Sequence, residues 1–310
     1  MGDPQYFSIK GGANPHTRDL WGRRKTVDKS RAIDQWLALK ALLEQNGLQV
    51  WVVPPDPQWP GTVYPANAGF ILNAKCGIRN AESSVIVSAP VQFYLSNLLP
   101  SRAGEQALYR QVLEVHGIAC HHVSFRFEGE ADFFPSQAEY FFTCGPIERQ
   151  RFVPHWGLPP WKRVYGFRSD ENGANELRSI THQPIRTIRL TRETHYHGDT
   201  VLCAFGPQRE YVLAYLEGLE PAAAQQLQAD YSKRLIPLCE ADAHSYAANS
   251  FQFIRNGQVF LVMHQQVSRD LLKKLRGFKV EPLLVDVSEF LKKGGGSVKC
   301  MIGDLGRLAA

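Results

Sequence analysis

Five times along the 310-residue chain a helical pattern gives way to a strand pattern within a few residues. The clearest case is 29–46, where Ile33, Trp36, Leu37 and Leu43 recur at helical spacing. Asp28 can cap that helix, Gly47 can end it, and 48–53 then reads as a strand. The same order recurs at 104–116, Gly117 and 118–123, and at 271–276, Gly277 and 278–285. Looser versions are 175–182 leading into 185–190, and 221–234 leading into 235–239. The joints fall near 47, 117, 184, 235 and 277, at intervals of 70, 67, 51 and 42 residues. That spacing is too uneven for a solenoid, and no sequence identity between the units is evident. Strands alternating with helices predict an α/β class with helices packed on sheets. Asn256-Gly257, between strand patterns at 251–254 and 258–263, adds a tight hairpin, so mixed sheets are expected. Pro54-Pro55 and Gly294-Gly295-Gly296 are too short to be linkers, which favours one domain over 1–310 to the two that length alone suggests.

Composition removes several classes of function. With 44% hydrophobic and 21% charged residues the chain is an ordinary globular one, neither disordered nor collagen-like. Its longest apolar runs, 48–53 and 259–263, fall far short of a membrane span. The opening Met-Gly-Asp-Pro-Gln-Tyr carries neither a basic flank nor an apolar run, so no secretory signal is expected. Six cysteines are scattered without a C-x-x-C pair, which suits free thiols in a reducing cytoplasm and leaves room for one nucleophile among core residues. The net charge of +5 is spread out, and the Arg23-Arg24-Lys25 cluster lacks interleaved aromatics, so nucleic acid is not an expected partner.

Four motifs could carry chemistry. Gly294-Gly295-Gly296 lets a backbone approach a ligand or another chain closely, and Cys300 follows; a hinge with a buried cysteine is the plainer alternative. His195-Tyr196-His197-Gly198-Asp199-Thr200 offers imidazoles beside a carboxylate. A zinc site there lacks the second histidine cluster it would need, leaving one His as general base and Asp199 as a charged anchor. In the run from Phe125 to Phe134, Glu128, Glu130 and Asp132 lie among aromatics, where burial is costly without a cation or histidine partner. A solvated turn fits that run equally well. Tyr64-Pro65-Ala66-Asn67-Ala68-Gly69-Phe70 suggests a tight loop aiming one amide inward, or simply a turn.

Together and in this order, the motifs resemble the guanidine-modifying (amidinotransferase, or pentein) superfamily, in particular its dimethylargininase-like and arginine dihydrolase-like branch. Tyr6-Phe7 and Asn14-Pro15 resemble that branch's opening, Pro65 to Gly69 its T-A-N-A-G, and Phe127 to Asp132 its F-E-G-x-G-D. Gly166-Phe167-Arg168-Ser169-Asp170, Tyr196-His197-Gly198-Asp199-Thr200 and 294–300 resemble its G-F-R-[ST]-D, Y-H-L-D-T and G-G-G…C. Departures are Glu130-Ala131 for a small-Gly pair, Gly198 for a leucine, and His16 after Asn14-Pro15 for an aromatic. At the first two, a changed pocket wall is expected.

The resemblance implies a fivefold pseudosymmetric α/β propeller with mixed sheets around a central active site, and no cofactor or metal. It implies Cys300 as nucleophile, with a thiol pKa lowered by a neighbouring cation. His197 would be the general acid and base, oriented by Glu128. Asp199 would hold the guanidinium, and Arg168 the substrate carboxylate. Deiminases and dimethylargininases of this kind place an Asp where Asn67 stands. An amide, which both donates and accepts, also suits the neutral ureido group of citrulline. Asn14 would be a second such amide. The implied activity is hydrolysis of arginine or a close derivative, of dihydrolase type: ornithine, carbon dioxide and two ammonia. Deiminase, dimethylargininase and amidinotransferase activity, or an inert binding scaffold, are the alternatives. The expected partner is a small guanidino substrate, with neither membrane nor nucleic acid, and the fold's edges leave room for a homo-oligomer.

Overall fold

The computed structural model describes residues 1–10, 14–19, 21, 23–72, 91–137, 139–147, 151–155, 158–294 and 296–306. Gly295, central to the glycine run, lies outside them.

Four units share one plan: an antiparallel pair of strands, a helix, and a third strand parallel to the second. In the first unit, β1 (Gly69–Leu72) pairs antiparallel with β2 (Gln92–Leu95), and α1 (Lys29–Gln45) lies before it in the chain. Helix α2 (Glu105–Val115) then leads to β3 (Ala119–His122), parallel to β2. The second unit joins β4 (Phe133–Pro135), β5 (Tyr140–Cys144) and β8 (Ile185–Arg189) around α3 (Ala174–Thr181). A hairpin of β6 (Arg151–His155) and β7 (Leu158–Val164) is inserted into it. The third has β9 (Leu202–Phe205), β10 (Tyr211–Ala214), α4 (Pro221–Tyr231) and β11 (Leu235–Pro237). After α5 (Glu240–His244), the fourth has β12 (Phe251–Arg255), β13 (Gln258–His264), α6 (Arg269–Gly277) and β14 (Val280–Val285), followed by α7 (Ser288–Gly294). The four three-stranded sheets are therefore mixed, as expected, each with one antiparallel and one parallel pairing.

The helix-to-strand joints read from sequence are present, with two corrections. Residues 48–53 form no ladder: only Val53 bridges, in parallel, to Gly2. Gly277 does not turn the chain out of α6, because Lys279 takes the left-handed conformation instead, at φ 59°. Gly47 and Gly117 do end their helices with positive φ, and the Asn256-Gly257 reversal has φ 50° and 79°, the double-positive geometry of a type I′ hairpin.

The core explains which apolar positions matter. Helix α1, capped by Asp28 Oδ1 accepting from Arg31 N at 3.1 Å, buries Ala32, Trp36, Leu39 and Leu43. Ile33 and Leu37, expected on that face, are 37% and 51% exposed. One residue of rotation, about 100°, takes them off a stripe running through 32, 36, 39 and 43. Helix α6 buries Leu271 and Leu275 on its inner face, four residues apart. Aromatic packing cements the second unit, where Phe133 stacks on Tyr140 with ring centroids 4.7 Å apart. No helix among the described residues is long and apolar enough to cross a membrane.

Candidate active site

The polar residues of interest come from one recurring place. In each unit they sit in the short loop just before the first strand: Asn67 before β1, Glu128 to Asp132 before β4, His197 and Asp199 before β9, and Asn249 before β12. Cys300 lies in the loop after α7. All of these side chains are buried.

Steric necessity holds the first two loops together. Gly129 has φ +60°, and a Cβ there would meet Ala66 O at 2.6 Å and Gly69 N at 2.6 Å. Only glycine permits that approach. It brings Glu128 Oε2 within 3.0 Å of Asn67 Nδ2, which donates to it. The third loop supplies His197, whose Nε2 lies 3.2 Å from Glu128 Oε2 and 3.2 Å from Asn67 Nδ2.

The other ring nitrogen identifies a residue to which the sequence reading gave no role. His197 Nδ1 lies 3.1 Å from Asp132 Oδ2. Asp132 is itself fully engaged: it accepts from Ser169 Oγ at 2.6 Å, Thr143 Oγ1 at 2.9 Å and Gly198 N at 3.0 Å. The orienting carboxylate behind the imidazole is thus Asp132, while Glu128 faces its Nε2 side. Burial is the largest influence on His197 and pushes its pKa down, but the charge of and hydrogen bond to Asp132, and then Glu128, outweigh it and lift the value to about 9. Burial likewise pushes Glu128 up, and the hydrogen bond to His197 with the charge of Arg102 reverses this, holding it at about 2. Arg102 Nη1 donates to Glu128 Oε2 at 3.2 Å while its Nε and Nη2 grip Glu105 at 3.0 and 2.7 Å. The acidic run is therefore no solvated turn.

Cys300 is held from two sides. Its Sγ lies 3.2 Å from Asp199 Oδ2. Asn249, likewise unread in the sequence, donates from Nδ2 to Cys300 Sγ at 3.1 Å and to Asp199 O at 3.3 Å. Its Oδ1 accepts from Cys300 N at 3.1 Å and Ser297 N at 2.9 Å, fixing the loop. The signal that could have found it is position: Ala248-Asn249-Ser250 repeats the Ala-Asn-small order of Ala66-Asn67-Ala68, each Asn two residues before its strand.

The expectation of a lowered thiol pKa is corrected. Burial, first, and then the negative Asp199 push Cys300 well up, with Asn249 and Lys299 only partly opposing. Burial also lifts Asp199 to about 6. Burial and the Asp199 charge both favour the protonated thiol over the thiolate.

Two other expected residues stand farther out. Arg168 is buried with its guanidinium 4.8 Å from the Tyr196 ring centre, and its charge helps to depress Glu128. Asn14 does not join the cluster around Asn67: its Oδ1 accepts from His16 N at 3.0 Å and its Nδ2 reaches Tyr196 Oη at 3.4 Å. The two histidines of the H-x-H pattern diverge. His195 Nε2 lies 3.2 Å from Ala243 O, away from His197, and no group of three metal-ligating side chains occurs among the described residues.

The departures from the resembling motifs also have outcomes. Gly198 leaves no hole, because Thr143 fills the space: a Cβ at 198 would lie 2.1 Å from its Oγ1. Glu130 bonds to Lys299. A separate cavity of about 770 Å³ shares Pro65, Ala68 and Ile302 in its lining but none of the Cys300, His197, Glu128 or Asp199 side chains.

Residues 166–307 match the family model for N,N dimethylarginine dimethylhydrolase, eukaryotic. The resemblance to guanidine-modifying enzymes holds. Over 97% of its length the chain is 25% identical to a bifunctional arginine dihydrolase/ornithine cyclodeaminase, AgrE, of Nostoc sp., spanning 37% of that protein. It is 27% identical to an N(G),N(G)-dimethylarginine dimethylaminohydrolase of Mycobacterium tuberculosis, covering 97% of this chain and 83% of that one. These guanidine-modifying relatives are hydrolases. Among solved structures, the substrate-bound N-terminal domain of ArgZ, an arginine dihydrolase from cyanobacteria, superposes with a TM-score of 0.76 at 22% identity. That likeness covers 97% of this chain and 95% of that one, and it shows the α/β fold.

Proposed function

We propose that the chain is a cysteine-dependent hydrolase of the guanidinium group of arginine or a close derivative, acting twice to give ornithine, carbon dioxide and two ammonia. The observation that carries this reading is a pair of unmet acceptors. Glu128 Oε1 and Asp199 Oδ1 are buried beside the imidazole and the thiol and accept no hydrogen bond from any described residue. Each such oxygen costs about 1–3 kcal/mol, and a planar cation rich in N–H groups satisfies both.

The chemistry follows from the charges. A bound guanidinium supplies the positive charge that Cys300 lacks in the empty site, so the thiolate forms where it is needed. Sγ attacks the guanidinium carbon. His197, protonated up to about pH 9 and held by Asp132, passes its proton to the departing nitrogen, and ammonia leaves a thiouronium. The neutral imidazole then takes a proton from water as its oxygen attacks the same carbon. The C–S bond breaks and citrulline forms. Asn67, touching both Glu128 and His197, presents an amide where a carboxylate would favour only a cation. It tolerates the ureido group, so a second attack expels ammonia, and a second water releases carbon dioxide and ornithine.

We further propose one domain, with the four units and a fifth made by α1 and the Gly2–Val53 bridge arranged as a fivefold propeller around this site, working in the reducing cytoplasm. The family-model match favours one other reading, a dimethylargininase that stops at citrulline and releases dimethylamine. Mass spectrometry of the products of arginine and of dimethylarginine separates the two. Ornithine from arginine supports the dihydrolase; citrulline alone refutes it. Cys300→Ala should abolish ammonia release while the protein stays folded, and full activity in that variant would end the reading.

A further inference from the structure

The acidic loop holds three buried carboxylates at alternate positions, and two face His197. The third, Glu130, faces the nucleophile's side. Its Oε2 bonds to Lys299 Nζ, the residue before Cys300, and accepts from Asp304 N at 3.0 Å. Lys299 Nζ also donates to Ile302 O at 3.2 Å, and Lys299 N donates to Asn249 O at 3.2 Å. The pair is nearly enclosed, the side chains 14% and 10% exposed. Residues on either side of Cys300 are thus pinned to the midpoint of the loop that carries Glu128 and Asp132.

Stability alone does not account for the pair, because a buried ion pair is often no more stabilising than an apolar one of the same volume. Its placement does. Cys300 faces one carboxylate, Asp199, directly, and the residue before it is tied to another, Glu130. Glu130 stands where the motifs this chain resembles have a small residue, so the arrangement belongs to this chain.

We propose that Glu130 and Lys299 are positioning residues. Their ion pair fixes the Cys300 segment against the loop that holds the imidazole. This rests on Cys300 being the nucleophile.

The test compares Lys299→Met with the double variant Glu130→Gln/Lys299→Met. Two readouts need no substrate: the unfolding midpoint, and the rate at which iodoacetamide modifies Cys300, followed by mass spectrometry of its peptide. Lys299→Met leaves Glu130 buried without its partner and should lower both. The double variant removes both charges and should recover the unfolding midpoint, yet Cys300 should still react about tenfold more slowly than in the parent, since the bonds that hold its segment against the acidic loop are gone. With arginine, kcat should fall more than KM changes. A double variant with parental Cys300 reactivity, including none in either protein, overturns the proposal. Failure of the underlying reading looks different: Cys300→Ala then releases ammonia normally, whatever the ion pair does.

Discussion

Asn249→Asp isolates what the Asn249 amide does for the sulfur. The substitution keeps the Oδ1 acceptor that holds Cys300 N and Ser297 N at 3.1 and 2.9 Å, so the loop should stay in place. It replaces the Nδ2 donor, 3.1 Å from Sγ, with an oxygen. A hydrogen bond to a charged partner contributes about 1.5–3 kcal/mol. At about 1.4 kcal/mol per pKa unit, its loss raises the thiol by about one to two units. A carboxylate charge at 3.1 Å acts in the same direction, and at an effective dielectric constant of about 20 it is worth about 5 kcal/mol. The hydrogen bond therefore sets the smaller bound. The thiolate fraction at pH 8, and with it kcat/KM for arginine, should fall at least about tenfold. The unfolding midpoint should also fall, because the new oxygen is buried against Sγ and Asp199 O without a donor, so activity is compared well below that temperature. Asn249→Ala provides the contrast: it also orphans two backbone N–H groups at about 1–3 kcal/mol each, and should unfold at a clearly lower temperature. Parental kcat/KM in Asn249→Asp would refute the reasoning.

Three further outcomes follow from the geometry. Asp132→Asn removes the carboxylate on His197 Nδ1; kcat should drop by about 10²-fold or more, and NMR titration of the imidazole should show its pKa falling from about 9 toward 6.5. Gly198→Leu places a Cβ into Thr143 and should displace the hydroxyl that donates to Asp132, reducing kcat; Thr143→Val, which removes that hydroxyl at nearly constant volume, should reduce kcat likewise in steady-state assays. His197 titrates higher folded, at about 9, than unfolded, at 6.5. Its stabilising contribution is full below pH 6.5 and is lost as pH rises through 9. Chemical denaturation at pH 7 and 9 should show that decline, and His197→Asn should flatten it.

What could be read in the sequence was whatever local pattern dictates. The Asp28 cap, the Gly47 and Gly117 stops and the Asn256-Gly257 reversal depend on neighbours in the chain, and they appear where expected, whereas the Gly277 stop moved to Lys279. Ile33 and Leu37 were misplaced because helical spacing alone does not say which of two adjacent stripes meets the core. The strand at 48–53 reduced to one bridge, since its partner at Gly2 lies across the fold and offers only a short edge. Within the site, Cys300, His197, Glu128, Asp199 and Asn67 stood out because their motifs are compact and familiar. Asp132 and Asn249 did not, because what matters about them is which atom they touch. The thiol's raised pKa was hidden for a similar reason: a cation was expected beside Cys300, but burial and Asp199 dominate there.

That each unit delivers its polar side chain from the loop before its first strand bears on how the protein is made. In chain order, Asn67, Glu128, Asp132, His197, Asp199 and Asn249 all precede Cys300. Because synthesis runs from the N-terminus, the sulfur leaves the ribosome after every group that will surround it. A chain cut short before residue 300 carries the imidazole and its carboxylates in its sequence but lacks the sulfur that the proposed chemistry needs.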